Sequence, residues 1–423
     1  MSFSKNEIID PSREVQNVRV EWSLDLKDSI YLNDSLKIIN LGLVTSAGVA
    51  SYNVLTGVKS LIKHARLMNG REVISSLRHA NRYLGWLEYN RTNSKNMSLK
   101  QWEARSKNGV KLESDGANYV MNYTQVNASN QTNTTRETTN TGCIYLSELF
   151  PILNNEDFIL HSSIFKNLRV EIEYDMRPEV ILTQTNLGGT INTTTPQLVV
   201  DVVVDQQDYA EMTKNALSMN LQFKELEHDQ FVMPHSDAAV GSTVAQKQVV
   251  DAKLNAFDNK VVDRLLISKE YANLNRYSTG GNVYGVGPLG SVANYRENWQ
   301  FVVNHAEILP DGGWDKDSVI QSNLVDVWGE SSNWGGSFNF DWTNKADDWA
   351  DSNTVGQGSW VGVKVSDLVK NMNIRFTRFN LDDRAVAPIA KKANEKEIVH
   401  VYGETLRQLL VVNGSYTISN VSN

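Results

Sequence analysis

At 423 residues, 41% hydrophobic and 21% charged, the chain has globular proportions and more length than one ordinary core uses, so two domains are expected. The net charge of -8 argues against direct nucleic-acid binding, because the first residues set only Lys5 and Arg13 against Glu7, Asp10 and Glu14. One cysteine, Cys143, excludes an intrachain disulfide and a cysteine-rich metal centre, and it fits synthesis in a reducing compartment. No apolar run is long enough to span a bilayer as a helix, and residues 1–17 show no apolar signal core.

In chain order, residues 1–17 are polar and mixed in charge and are expected to form an N-terminal arm, flexible or docked. From Val18 to Leu26 apolar and polar residues alternate without a miss, which puts Val18, Val20, Trp22, Leu24 and Leu26 on the buried face of a strand. Strands are expected around Ile30–Leu41 and Val58–Met68, followed by a turn at Asn69 and Gly70. The spacing of Val73, Ile74, Leu77, Ala80, Leu84 and Leu87 predicts an amphipathic helix over 71–89. Residues 93–142, rich in Asn, Thr and Ser, read as a long loop with at most short strands, for instance around Tyr119–Tyr123. The Asn-x-Ser/Thr triplets at Asn122, Asn127, Asn130, Asn133 and Asn192 read as loop composition rather than glycan sites.

A helical turn over Leu146–Leu153, stopped by Pro151, leads to strands at Phe158–Leu160 and Leu168–Met176. Leu198–Val204 is a β-branched run expected in a buried strand. The weakly helical, polar residues 206–217 are the expected linker between a first domain, 18–205, and a second, 218–423. Strands in the second half are expected at Val261–Ile267, Trp299–Val303, Ser337–Trp342, Trp360–Val365, Ile374–Phe379, Ile398–Tyr402, Leu409–Val412 and Ser415–Ile418. Asn413 and Gly414 join the last two as a hairpin. The fold class is therefore all-β: two tandem jelly-roll β-sandwiches with a few short helices in the loops.

No motif carries catalysis. Gly285, Gly287 and Gly290 match a dinucleotide fingerprint in text, but Pro288 interrupts it and no helical pattern follows. Glu225, Glu227, His228, Asp229 and His235 are dense in metal-ligating types, yet the two histidines are spaced seven apart and Pro234 breaks the segment, so a charged strand edge is expected. Asp347, Asp348 and Asp351 lack the glycine and terminal glutamate of a calcium loop. Asp382, Asp383 and Arg384 read as a turn with a local ion pair, and Cys143 as a buried thiol. No catalytic, cofactor or metal residue is nominated. Trp314, Trp328, Trp334, Trp342, Trp349 and Trp360 cluster in one stretch; they suit a packed loop or subunit contact, or an aromatic platform for a sugar or receptor.

Several segments together resemble the double-jelly-roll major capsid proteins of icosahedral DNA viruses, in particular the polinton-like and virophage-like group. They are Gly57–Ile62 with Asn69–Ile74 and the expected helix to Tyr89, then Leu146–Leu153 with Phe158–Leu160 and Leu168–Ile172. In the second half they are Trp299–Asn304 with Ile308–Pro310, then Ser359–Leu368, Ile374–Leu381 and Val399–Gly414. The resemblance rests on pattern and order and covers about Val18 to Ile418. It implies a homotrimer forming a pseudo-hexagonal capsomer that contacts neighbouring capsomers and tiles an icosahedral shell. It further implies penton or minor capsid proteins as partners, leaves room for an internal membrane, and places the protein in the virion after synthesis inside the host cell. A chain somewhat short for the group is expected to lack long outward towers. The rival readings are a carbohydrate- or receptor-binding sandwich using the tryptophan segment, and a jelly-roll enzyme acting on glycosides through paired carboxylates.

Overall fold

The computed structural model describes residues 4–45, 48–52, 57–84, 111–115, 118–122, 125–126, 141–177, 181–187, 190–234, 247–271, 295–304, 306–307, 361–380 and 396–421. The chain divides into two compact units, Met1–Leu226 with Leu406–Val421, and Glu227–Thr405 with Ser422–Asn423.

The first unit contains β1 (Ser4–Ile9), β2 (Arg13–Val15), β3 (Arg19–Leu24), β4 (Ile30–Tyr31), β5 (Lys37–Thr45), β6 (Gly48–Tyr52), β7 (Ile62–Asn69) and β8 (Glu72–Arg78). It continues with β9 (Lys111–Asp115), β10 (Asn118–Asn122), β11 (Gln125–Val126), β12 (Thr141–Tyr145), β13 (Leu160–His161), β14 (Leu168–Tyr174), β15 (Leu182–Leu187), β16 (Ile191–Thr193), β17 (Gln197–Val203) and helix α1 (Gln206–Ala216). In one sheet β1 pairs with β17, β17 with β4 and β5, and these with β13 and β12. The other sheet runs β2-β3-β14-β7-β8.

Strands β4 and β5, β12 and β13, and β16 and β17 are each one interrupted strand. Set β2 and the small β9–β10 and β11-β6-β15 sheets aside. The principal strands then run first-eighth-third-sixth in one sheet and second-seventh-fourth-fifth in the other. This is jelly-roll winding, in which the chain's two ends meet as neighbours and each later pair closes around the one before.

The second unit repeats the order. Its strands are β18 (Asn220–Pro234, which starts in the first unit), β19 (Lys247–Lys253), β20 (Lys260–Tyr271), β21 (Tyr295–Val303), β22 (Ala306–Glu307), β23 (Val361–Val369), β24 (Met372–Asn380) and β25 (Lys396–Val412). They form sheets β18-β25-β20-β23 and β19-β24-β21-β22, again first-eighth-third-sixth and second-seventh-fourth-fifth. The strands expected at Ile398–Tyr402 and Leu409–Val412 are one continuous strand, β25.

The alternation in β3 and β14 builds the first core. Val20, Trp22 and Leu24 are at most 1% exposed, and in register they oppose Ile172, Val170 and Leu168 of β14, which are equally buried. Ala65 and Leu67 of β7 continue two of these rows on the other side of β14. Three ends of the expected alternation fall outside the strands. Val18 precedes β3 and is 51% exposed, Leu26 follows it and is half-buried, and Met176 follows β14 and is half-buried.

The helix expected over 71–89 is a strand over its first part. Asn69 and Gly70, with Gly70 at φ 61°, fold β8 back on β7 as a hairpin, and among the described residues of that span only 80–84 are helical. A bulge between Leu67 and Met68 lets the adjacent Ile74 and Ser75 both be buried, a pattern that mimics helical spacing. Pro151 opens a second 3-10 turn, Pro151–Asn154, after one at Leu146–Glu148, rather than ending a helix.

The segment expected as an arm supplies β1, an integral strand. The segment expected as a linker forms α1, whose first turn is capped by the Asp205 carboxylate accepting from the Gln207 and Asp208 amides. The last strand, β26 (Ser415–Asn420), returns along β25 through Asn413 and Gly414, both at positive φ as a tight hairpin needs. This hairpin belongs to the first unit: the Tyr416 ring lies 4.9 Å from that of Phe165, and its hydroxyl accepts from Asn69 Nδ2 at 3.1 Å.

Candidate assembly surfaces

The polar side of the alternating strands forms a charge ladder on the sheet of β3, β14 and β7. Register sets Glu21 of β3 directly opposite Glu171 of β14, and Glu171 opposite Arg66 of β7. Two facing carboxylates repel, and arginines offset this. Arg66 Nη1 donates to Glu171 Oε1 at 2.8 Å, Arg19 lies 4.0 Å from the other oxygen, and Arg169 Nη1 donates to Glu21 Oε1 at 2.9 Å. Beside them Lys63 Nζ donates to Glu173 Oε1 at 2.8 Å. Burial pushes the Glu173 pKa up, but the Lys63 hydrogen bond and the charges of His64, Lys63 and Arg66 outweigh it, so the net shift is downward. His64 is shifted down by burial, which Glu173 opposes and Lys63, Arg66 and Arg78 reinforce.

A groove of about 760 Å³ opens on the first unit among Tyr31, Asn33, Asp34, Tyr145, Glu148 and Glu156. Asn33 Nδ2 donates to the Phe158 carbonyl, and Lys59, 1% exposed, donates to Glu148. The Tyr31 hydroxyl accepts the Leu26 amide at 3.1 Å. Burial pushes its pKa up to about 12, with the Leu26 hydrogen bond opposing and Asp25 adding. The groove is acidic and aromatic, and its carboxylates come from separate turns.

The Ser163 hydroxyl sits 2.8 Å from His161 Nδ1, a pairing that the sequence did not suggest. The same ring nitrogen also accepts the Ser163 amide at 3.1 Å, and Nε2 meets Thr213 at 3.0 Å rather than a carboxylate. The His161 pKa is lowered by burial against the pull of Asp28. This geometry closes a turn; it lacks the acid that orients a catalytic histidine.

The residues that looked metal-like in sequence do not converge. Glu225 accepts from the Ser76 amide at 2.8 Å and the Ser75 hydroxyl at 3.1 Å, Glu227 from Lys260 at 2.6 Å, and Asp229 from the Ala256 amide at 3.1 Å. His228 Nε2 lies 2.9 Å from His400 Nδ1. Strand alternation along β18 sends successive residues to opposite sides. Cys143 is buried in β12. The glycines at 285–290, the aspartates at 347–351, His235, residues 382–384, the tryptophan segment 314–360 and the strand expected at 337–342 lie outside the described residues.

Three exposed apolar side chains lie in the N-terminal part of the first unit, Ile8, Val15 and Val18, and others, among them Val204, Val232 and Val412, lie elsewhere. The sequence did not mark Ile8 as a strand residue, because it sits in a polar stretch whose partner strand is almost two hundred residues away.

No protein-family model matches the chain, and no curated protein sequence does. Solved structures match it along its length. VP54 of PBCV-1, a structure fitted into a cryo-EM reconstruction of the virophage Sputnik, aligns with a TM-score of 0.59 at 10% identity, covering 99% of this chain and 97% of that one. The mavirus major capsid protein aligns at 0.52 and 9% identity, covering 98% and 90%. The Faustovirus major capsid protein aligns at 0.52 and 9%, covering 96% and 90%. The fold is thus all-β and built from two jelly rolls in tandem. It is the double-jelly-roll fold that these viral capsid proteins share.

Proposed function

We propose that this chain is a viral major capsid protein that assembles as a homotrimeric, pseudo-hexagonal capsomer and tiles an icosahedral shell in the virion. The observation that carries the reading is the end-to-end match. Both sandwiches align with capsid proteins, and 99% of the chain is used at a TM-score of 0.59. Local features are consistent with a wall: a sheet face made of mutually satisfied ion pairs, and several exposed apolar side chains. The net charge of -8 suits a shell that leaves genome binding to other proteins. Penton or minor capsid proteins would fill the vertices, and a membrane beneath the shell is compatible with the fold.

Size-exclusion chromatography with mass measurement, followed by electron microscopy of the full chain, tests this. Trimers that build hexagonal arrays or shells are expected. A monomer that binds glycans on an array and forms no higher assembly would overturn the proposal in favour of a carbohydrate-binding sandwich.

A further inference from the structure

We propose that the outer edge of β1 is a self-association surface that takes β1 of a second copy of this chain, antiparallel and with Asn6 facing Asn6 across a two-fold axis. The inference goes beyond the capsid reading, since it needs two copies and no shell. Strand β1 pairs with β17 over its whole length, and among the described residues no strand pairs with its other edge. Such an edge presents backbone donors and acceptors to any strand that can lie beside it.

Two of the usual guards, a proline and a bulge, are missing. The strand contains no proline and its register with β17 has no shift, so nothing bends it away, and Asn6 Nδ2 donates to Asp201 Oδ1 of β17 at 2.8 Å on the paired side. Lys5 and Glu7 lie on one face, 2.5 Å apart at their charged ends. Ile8, on the other face, is 58% exposed.

Register follows from parity and charge. Alternate residues of an antiparallel strand direct their backbone groups outward, so a two-fold pairing must centre on a residue. Centred on Lys5 it sets Lys5 against Lys5; centred on Glu7 it sets Glu7 against Glu7. Both oppose like charges. Centred on Ile8 it pairs only the last residues of the strand. Centred on Asn6 it places Lys5 opposite Glu7 twice, once on each side of the axis. A lysine that would ordinarily repel a visiting strand becomes half of a matched pair. So short a contact is weak in isolation, and it gains from copies already held near one another.

A single cysteine reads the register. Directly opposed residues in an antiparallel pair lie about 4.5–5.5 Å apart at Cα, inside the disulfide range. The full-length Asn6→Cys variant, oxidised and run without reductant, is expected to give a reducible dimer. The wild type, whose Cys143 is buried, should give none, and Ile8→Cys should give little because its two copies are displaced along the strands. In the Asn6→Cys background, Lys5→Glu or Glu7→Lys is expected to cut the dimer yield about tenfold. The combined Lys5→Glu/Glu7→Lys chain should restore it. The proposal is overturned if Asn6→Cys stays monomeric, if Ile8→Cys links as well as Asn6→Cys, or if the double reversal fails to recover the dimer while its melting temperature matches the wild type. Loss of the dimer from a chain that still forms trimers refutes this contact alone, whereas a dimer without trimers or shells refutes the capsid reading alone.

Discussion

In the first sandwich the opening strand, β1, has six residues, and none is fully buried. Its counterpart by winding order, β18, has fifteen, and its buried apolar side chains, Leu221, Phe223 and Leu226, all lie in the part that belongs to the first unit. The closing strands differ in length too: β17 has seven residues and buries five of them, whereas β25 has seventeen, of which 406–412 belong to the first unit. Identical strand order therefore tolerates very different strand lengths. Order is set by which strands neighbour one another, and stability by where the apolar area goes. In the first sandwich much of that area sits on β3, β14, β7 and β17, and β1 adds no fully buried side chain to it. In the second, the closing strand itself is packed tightly: a Cβ on Gly403 of β25 would overlap Phe257 Cε1 and lie 3.2 Å from Leu265 Cδ2.

The sharpest way to break this comparison is a charge in β3, whose Val20, Trp22 and Leu24 are buried against β14. Val20→Asp buries a carboxylate opposite Ile172 and is expected to cost about 3–5 kcal/mol or to prevent folding. Val18→Asp, two residues earlier on the half-exposed approach to β3, should stay within about 0.5 kcal/mol of wild type. Urea denaturation of both variants checks the pair, and equal effects would refute the β3 register. In the second sandwich Gly403→Ala should cost about 1–3 kcal/mol by overpacking against Phe257, and Gly403→Ala with Phe257→Leu should recover part of it. Calorimetric melting of the single and double variants reads that recovery.

A smaller effect tests the buried hydroxyl of Tyr31. Its pKa is raised from the ordinary 10 to about 12, so the folded state favours the neutral phenol. That contribution is fully present below pH 10 and is lost as pH rises through about 12. Tyr31→Phe should lose about 1 kcal/mol at neutral pH, where the Leu26 amide loses its acceptor. It should also be less sensitive to alkali, so that its stability approaches that of wild type at high pH. Denaturation curves between pH 8 and about 11.5 check the convergence.

How much of this was legible depends on where each strand finds its partner. The alternation of β3 and β14 could be read because each strand is covered on one face only, so a period of two appears in the residues themselves. The hairpin at Asn413 and Gly414 was legible for the same local reason. Strand β8 was not. Ile74, Leu77 and Ala80 fit helical spacing, and the bulge that buries Ile74 and Ser75 together is visible only once β7 lies alongside. Strand β1 was hidden because its pairing with β17 joins residues almost two hundred apart and leaves few apolar positions to mark it. The charge ladder was half-visible: the polar face of β3 could be assigned, but not that Glu21 would meet Glu171.

The ladder supplies the smallest and most conditional effect. Glu173 has its pKa held below the ordinary carboxylate value, against the opposing pull of burial, by its hydrogen bond from Lys63 and the neighbouring cations. A depressed carboxylate stabilises the fold at pH values above its unfolded pKa, and the contribution fades as pH falls through the folded value. Lys63→Met removes the hydrogen bond and one cation. Because both partners are about a third exposed, solvent screens the pair, and the expected cost at neutral pH is only about 0.2–1 kcal/mol. The difference between variant and wild type should shrink in high salt and vanish once Glu173 is protonated in both states. If the deficit of Lys63→Met instead persists unchanged into acid, the lysine contributes through its aliphatic stem packed on the sheet, and the ladder acts as cover rather than as charge.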